Sequence, residues 1–264
     1  MRRGFTLVEL VMVIMILAIV AGGVTILVGR LPSSTSVSTS AGTVSQAVRA
    51  LQLFRTTRDR FPTRLDLLLP DHTNAALANS LGPDVATGVD VTAAELSVID
   101  ITSITGIATA LRNSGIREVI ESPDIDKDKD PNSAQPQTIF DDVEPDNTTR
   151  EISIVPGSTP QHIVVLGSSA ISRLNLDSAE TYVVFGLGNN CEAVGEVMVS
   201  APVHSRQEDG AVIDRYSRFM PVFEVEDSTV RLVTVVTLEN EDGVAVVTGV
   251  SDYVRSFYND RNLE

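Results

Sequence analysis

An apolar run long enough to cross a membrane opens this chain and constrains everything that follows it. The run covers Phe5–Val28, and as a helix it would be roughly 36 Å long at about 1.5 Å per residue. Arg2 and Arg3 precede it and Arg30 follows it. We therefore predict a transmembrane helix over residues 5–29, with the short amino-terminal end in the cytoplasm and the rest of the chain exported.

One carboxylate, Glu9, lies inside that run. An ionisable group in a membrane-length helix is energetically expensive and usually serves a function. A secretory signal peptide is one interpretation, but the run exceeds the usual core of about 7–15 residues and Glu9 falls near its beginning. A plain membrane anchor leaves Glu9 unexplained, unless the side chain reaches the lipid headgroups from the first turns of the helix.

The segment Gly4-Phe5-Thr6-Leu7-Val8-Glu9 follows a short basic leader and resembles the processing signal of type IV prepilins and type II secretion pseudopilins. The resemblance implies that residues 1–4 are a leader, which a prepilin peptidase removes between Gly4 and Phe5. It further implies that Phe5 is N-methylated. Glu9 would then be the fifth mature residue, which in that family faces the terminal amine of a neighbouring subunit.

The resemblance also implies where the protein works and with what. It implies a single-pass protein of the bacterial inner membrane with a periplasmic head. Its partners would be further copies of itself, other pseudopilins, the prepilin peptidase and the inner-membrane secretion platform, and no nucleic acid is expected. A carboxylate in hydrocarbon is tolerated when an opposite charge meets it, so assembly would satisfy Glu9.

A second helical segment is predicted after the apolar run, within residues 30–60. Pro32 and the Ser/Thr-rich segment Ser33–Ser40 indicate a break or a flexible joint. Apolar residues then recur at three- and four-residue spacing, which predicts an amphipathic helix with one core-facing stripe. The stripe consists of Val44, Ala47, Val48, Leu51 and Phe54. The stretch from Phe61-Pro62 to Leu68 resembles the one that follows the long helix in pseudopilins.

The formal net charge of −15 is unevenly distributed, since residues 1–64 hold eight arginines against Glu9 and Asp59. We hypothesise that a basic cluster after the apolar segment meets the acidic heads of adjacent subunits or anionic lipid headgroups. A solvated helix face is the alternative. The cluster consists of Arg49, Arg55, Arg58, Arg60 and Arg64.

The sequence pattern of region 61–160 gives few clear signals for helices or strands. The region contains an acidic loop at residues 124–150. Four alternating aspartates open the loop, and hard oxygen ligands at this density suit Ca²⁺. The candidate metal ligands are Asp124, Asp126, Asp128 and Asp130. Lys129 and Gln135 stand where a calcium loop of the Asp-x-Asp-x-Asp kind has glycine and glutamate. A solvated loop is therefore favoured, Ca²⁺ is the alternative, and no other cofactor is expected.

The region 161–264 is rich in β-branched and aromatic residues, which predicts an antiparallel sheet. The predicted strands cover residues 162–166, 182–185, 196–199, 220–225, 230–238 and 244–250, with a hairpin turn over 239–243. Residues 101–113, before Gly115, suit either a glycine-capped helix or a strand. The expected fold is α+β and pilin-like: a long amino-terminal helix, transmembrane then amphipathic, packed on an antiparallel β-sheet head.

Catalysis finds little support in the sequence. The three histidines have no metal-ligand spacing, and no Gly-x-Ser-x-Gly turn is present. The single cysteine, Cys191, excludes an internal disulfide and is predicted to be a buried apolar filler. We therefore expect a structural subunit of a secretion or pilus-like filament. The alternative is a filament-displayed or membrane-anchored binding protein that recognises a secreted substrate or surface.

Gly4→Val is expected to block leader removal, because a branched side chain would not fit a cleavage site built for glycine. The intact mass of the protein recovered from membranes measures this directly. Gly22→Val, which places the same side chain inside the apolar run, is the control and should be processed normally. A normally matured Gly4→Val chain would contradict the proposed cleavage.

Overall fold

A computed structural model describes residues 40–69, 72–73, 75–77, 90–121, 151–154, 159–202, 207–208, 211–212, 219–241 and 244–255. Four α-helices occur in these ranges. They are α1 at 40–58, α2 at Ile107–Asn113, α3 at Ser168–Arg173 and α4 at 250–255, with a 3₁₀ turn at Ile101–Ser103. The predicted leader, the predicted transmembrane helix and the acidic loop at 124–150 lie outside the described residues.

The strands in the described ranges are short except for one long hairpin. They are β1 Leu65–Asp66, β2 Asp90–Val91, β3 Leu96–Asp100, β4 Glu118–Ile120, β5 Glu151–Ser153, β6 His162–Leu166, β7 Tyr182–Val184, β8 Gln207–Glu208, β9 Ala211–Val212, β10 Met220–Val225, β11 Val230–Glu241 and β12 Val244–Thr248. The main sheet has seven strands in the order β2-β12-β11-β10-β7-β6-β3. A three-stranded sheet, β1-β4-β5, and the β8–β9 pair accompany it.

Helices combined with mostly antiparallel sheets confirm the predicted α+β class. The antiparallel sheet predicted for residues 161–264 is confirmed, since β6, β7, β10, β11 and β12 pair antiparallel with their neighbours from this region. Strands from before residue 160 add two parallel pairs, β2 with β12 and β1 with β4. Parallel pairing at these points follows from long connections, which let the later strand return in the same direction. The main sheet also takes β2 and β3 from before residue 160. The predicted division of the chain into regions stays a prediction.

The main sheet is strongly curled, which follows from the connection between its two end strands. Seven strands spaced at about 4.8 Å would span roughly 29 Å if the sheet were flat. Only residues 92–95 join β2 at one end to β3 at the other, and the step from Val91 to Leu96 reaches at most about 18 Å. The sheet must therefore curve until its first and last strands approach each other.

A buried ion pair lies where the two ends of the sheet approach. Glu95, which is 4% exposed, pairs with Arg173 of α3. The same carboxylate accepts the backbone N–H of Val247 in β12 at 2.9 Å, while Arg173 Nε donates to the Val247 carbonyl at 3.1 Å. The pair thus ties the segment before β3 to α3 and to β12, which lies next to β2, the strand at the opposite end of the sheet.

One hydrophobic core contains side chains from α1, α2 and the main sheet together. Val44, Leu51 and Phe54 of α1 have no exposed surface, and Ala47 has 2%. The predicted core-facing stripe is therefore confirmed for these four residues, while Val48 is partly buried against the same core.

The ambiguous segment 101–113 is helical in its second part, as α2. The helix ends in the glycine cap that the sequence suggested, because the Ile116 N–H returns to the Leu111 carbonyl at 3.0 Å and Gly115 has φ of 100°. A side chain on Gly115 would also meet Arg60 Cβ at 2.5 Å. The glycine thus lets α2 lie close to the end of α1.

The strand predictions after residue 160 hold at β6, β7, β10, β11 and β12, within a residue or a few at their ends. The hairpin is confirmed by the antiparallel pairing of β11 with β12, although β11 continues to Glu241. The predicted strand at residues 196–199 was wrong. Its amides bond locally, since the N–H groups of Val197 and Met198 both donate to the Ala193 carbonyl, and Gly195 has φ of 88°.

Glu95→Ala is expected to lower the free energy of unfolding by about 3–5 kcal/mol, because it leaves Arg173 without its buried counter-charge. Urea unfolding of the detergent-solubilised full chain measures the loss. Glu196→Ala is the matched control, since it breaks a pair with side chains 51% and 33% exposed and is expected to lose about 1 kcal/mol or less. Equal losses of unfolding free energy in the two variants would contradict a structural role for the ion pair between Glu95 and Arg173.

Candidate functional site

The described residues that bear most directly on function are those that hold α1 on the head. We call them the helix seat: the buried stripe of α1, Phe61, and the glutamates Glu118, Glu192 and Glu196. The predicted processing and assembly residues, Gly4, Phe5 and Glu9, lie outside the described residues. So do the candidate metal ligands Asp124, Asp126, Asp128 and Asp130, and the calcium site stays an alternative that the structure does not address.

The buried stripe forms because apolar residues three and four positions apart share one face of a helix. Val44, Ala47, Leu51 and Phe54 meet this spacing, and all four lie in the core. The opposite face is solvent-exposed, including Gln46, Arg49 and Gln52. Leu53 on that face is 55% exposed. The stripe alone therefore fixes which side of α1 meets the sheet.

Aromatic contacts continue the seat beyond the end of α1. The Phe61 ring packs edge-on against Phe223 of β10, with ring centroids 5.0 Å apart, and Phe223 in turn contacts Phe185 at 6.1 Å. The Arg55 guanidinium lies over the Phe61 ring, 4.6 Å from its centroid. Phe61, which follows the end of α1, is thereby packed against the centre of the sheet.

Three arginines of the predicted basic cluster form ion pairs within the chain. Arg58 makes a two-pronged pair with Glu196, at 2.9 and 2.8 Å. Arg60 pairs with Glu192, and Arg64 Nε lies 3.2 Å from Glu118 Oε2. These ion pairs within the head compete with the hypothesised contacts of the three arginines to neighbouring subunits or lipids.

The pair between Arg60 and Glu192 is the best supported of the three. The hydrogen bond from Arg60 holds the pKa of Glu192 below its ordinary range, although partial burial opposes the shift. The Thr63 N–H adds a contact to Glu192 Oε2 at 3.3 Å. The same hydrogen bond raises the pKa of Arg60. This pair ties the end of α1 to the segment that follows Gly188.

Cys191 lies in this segment and is 2% exposed. Burial raises the pKa of its thiol to about 12, so the thiolate is not formed at neutral pH and the side chain is chemically inert. This agrees with the prediction of a buried filler.

The described residues offer no metal centre, since no three His, Cys, Asp or Glu side chains among them are placed to hold an ion. His72 is engaged with Glu121, whose Oε1 lies 2.9 Å from the ring Nδ1 and accepts the His72 backbone N–H at 3.0 Å. Nor is any helix within the described ranges both long and apolar enough to cross a bilayer.

Comparison with known families decides what the amino-terminal segment is. Residues 1–25 match the family described as the prokaryotic N-terminal methylation motif. The chain carries a prepilin-type methylation motif. The resemblance drawn from Gly4 to Glu9 is therefore confirmed, and the motif is consistent with the type IV pilin and pseudopilin family. No curated protein and no solved structure matches the chain.

The motif supports a coarse statement about function. It indicates a type IV pilin-like protein that is processed by prepilin peptidase, is anchored in a membrane and assembles with other pilin-like subunits. Proteins with this motif are structural. The helix seat adds residues that sequence reasoning missed, namely Glu118, Glu192 and Glu196. The basic cluster after the apolar segment was the only sequence feature that indicated acidic partners.

Glu192→Gln is expected to lower the free energy of unfolding by about 1 kcal/mol at pH 7, as for an ion pair whose side chains are 33% and 26% exposed. Because the pKa of Glu192 is lower in the folded chain than in the unfolded chain, its contribution is complete above the ordinary glutamate pKa and is lost as the pH falls through the folded value.

Urea unfolding of the wild type and of Glu192→Gln at pH 7 and at pH 3 measures this dependence. The difference between the two proteins should shrink at pH 3. A difference that stays constant across this range would show that the carboxylate charge contributes nothing.

Proposed function

We propose that this protein is a pseudopilin, a structural subunit of a type II secretion or type IV pilus-like filament that supports protein export. The observation that carries the proposal is the methylation motif at residues 1–25 with Glu9 embedded in an apolar run. In this role the subunit is cut between Gly4 and Phe5, methylated on Phe5 and polymerised through its amino-terminal helix.

The position of Glu9 supports polymerisation rather than simple anchoring. A lone subunit in the bilayer holds this carboxylate without a counter-charge, at a cost that lipid alone does not offset. The terminal amine of a processed neighbour supplies the opposite charge. Removing either partner would leave the other uncompensated, which costs about 3–5 kcal/mol. Assembly therefore lowers the free energy of the subunit, because it pairs the Glu9 charge that is unfavourable in the isolated chain.

The helix seat supports the proposal from the carboxyl-terminal side of the predicted joint. A subunit that polymerises through an amino-terminal helix needs its head joined firmly to that helix. Here the stripe of α1 belongs to the same core as the main sheet, and Phe61 locks the end of the helix to β10. The described part of the helical segment is therefore packed into the core of the head.

The proposed location is the bacterial inner membrane, with the amino terminus in the cytoplasm and the head in the periplasm. The proposed partners are prepilin peptidase, other pseudopilins, further copies of the chain and the inner-membrane secretion platform. The work of the protein is mechanical in this proposal, and it requires neither a cofactor nor a nucleic acid.

Glu9→Ala is expected to abolish filaments while leaving leader removal intact. A loss of about 3 kcal/mol per contact corresponds to a fall of more than about 100-fold in subunit association. Filaments recovered from cells that carry the whole secretion machinery measure the effect, and mass spectrometry checks the processing.

Leu10→Ala is the matched control, because it removes an adjacent side chain without touching the charge, and it should assemble. Normal filaments from the processed Glu9→Ala chain would overturn the proposal. That result would favour a membrane-anchored binding protein instead.

A further inference from the structure

The hydroxyl of Tyr253 is buried where α1, β11 and α4 meet. We call Tyr253 of α4 and the three residues around its hydroxyl, which are Ser40 of α1 and Thr237 and Glu239 of β11, the Tyr253 cluster. Tyr253 is 4% exposed, Thr237 is 0% exposed and Ser40 is 9% exposed. The cluster thus joins the first described residue of α1 to the carboxyl-terminal helix of the head.

Hydrogen-bond accounting shows that the phenol oxygen is fully used. Tyr253 donates its only proton to Glu239 Oε1 at 2.6 Å. The oxygen can then only accept, and Thr237 Oγ1 lies 2.5 Å away. The Ser40 side chain is hydrogen-bonded to the same phenol, so it supplies the second donated proton. One donor and two acceptor positions are the whole capacity of a tyrosine hydroxyl.

The protonated state of the phenol is secured by its surroundings. Burial, followed by the neighbouring Glu239 carboxylate, raises the pKa of Tyr253 well above its ordinary value. The hydroxyl therefore keeps its proton throughout the neutral range, and the arrangement of donors and acceptors does not change with pH there.

Contacts within the head also position α4. A side chain on Gly249, at the start of α4, would meet Leu174 Cδ2 at 2.7 Å, so the glycine lets α4 approach the chain beyond α3. The Gly249 N–H donates to Asp252 Oδ2 at 3.0 Å, and the Tyr253 N–H returns to the Gly249 carbonyl at 3.2 Å. These contacts hold α4 on the head, and the bonds to Glu239 and Thr237 place the Tyr253 hydroxyl beside β11.

We propose that Tyr253 is a positioning residue that latches the first described turn of α1 to the head and so fixes the orientation of the head on its helix. This rests on the proposed function, in which a subunit polymerises through its amino-terminal helix. Ser40 is also the last residue of the Ser/Thr-rich segment that the sequence predicts as a joint. The latch acts where that segment ends.

Burial of the apolar stripe alone does not define this orientation. Hydrophobic contact is non-directional, so it holds α1 on the sheet but resists small rotations and slides of the helix weakly. Hydrogen bonds lose strength steeply when their angles or distances depart from the optimum. Two of the three hydrogen bonds on the Tyr253 oxygen hold it on β11, and the third joins it to Ser40. The oxygen therefore gives the first described turn of α1 a directional contact at a defined point of the head.

Tyr253→Phe in the full-length chain tests the latch, because it keeps the buried ring and removes only the hydroxyl. Hydrogen exchange of the α1 amides at residues 44–48 is expected to rise about tenfold, since the loss of one buried hydrogen-bond centre destabilises the closed state locally. Filament yield from cells is expected to fall by a similar factor at equal levels of processed protein.

Tyr182→Phe is the matched control. Tyr182 is 3% exposed, and its hydroxyl accepts the Asp177 N–H at 3.1 Å within the head, so the variant loses a buried tyrosine hydroxyl that the described contacts do not connect to α1. It should leave exchange at residues 44–48 and filament yield unchanged. Ser40→Ala, which removes only the α1 side of the latch, should reproduce both effects of Tyr253→Phe.

Unchanged exchange at residues 44–48 in both Tyr253→Phe and Ser40→Ala would overturn the latch. So would an equal loss of filaments in Tyr182→Phe, because the effect would then reflect general destabilisation of the head. The exchange measurement needs no filament. A wild-type chain that forms no filaments would therefore count against the proposed function, while faster exchange in the two variants would still support the latch.

Discussion

Burial of the α1 stripe in the core of the sheet is the interaction on which the rest of the described structure depends. Val44, Leu51 and Phe54 have no exposed surface, and each fully buried side chain of this size contributes about 1.5–3 kcal/mol. The half-exposed ion pairs at the end of the helix contribute about 1 kcal/mol or less each. The stripe therefore keeps α1 on the head, whereas the polar contacts define how it lies there.

The curled sheet gives that stripe a fixed surface. Because residues 92–95 connect the two end strands, β2 and β3, the sheet cannot flatten without breaking the pairing of one of them. The buried ion pair between Glu95 and Arg173 opposes the same movement, because separating the two residues would leave a buried charge without its partner. A head closed in this way resists deformation when force is applied through α1, which is what the proposed filament role demands.

The sequence predicted the elements whose signal is local. The strands β6 and β10 stood out because β-branched and aromatic residues fill them, and α1 stood out because its stripe repeats every three or four residues. The two- and three-residue strands β1, β2, β4 and β5 carry no such signal, since distant partners define them. The strand predicted at residues 196–199 failed for the opposite reason: its residues favour strands, but no strand in the described part of the chain pairs with them.

The contacts of the helix seat cannot be predicted from the local sequence, because the partners of its charged groups come from distant parts of the chain. Arg60 and Glu192 are 132 residues apart, and the sequence around either residue gives no indication of the other. Once paired, the two charges largely cancel beyond the Debye length of about 8 Å at physiological ionic strength. Arg58, Arg60 and Arg64 therefore attract a neighbouring subunit less than their number suggests. Electrostatic attraction between heads would have to come from charges outside the seat, such as Arg49 on the exposed face of α1.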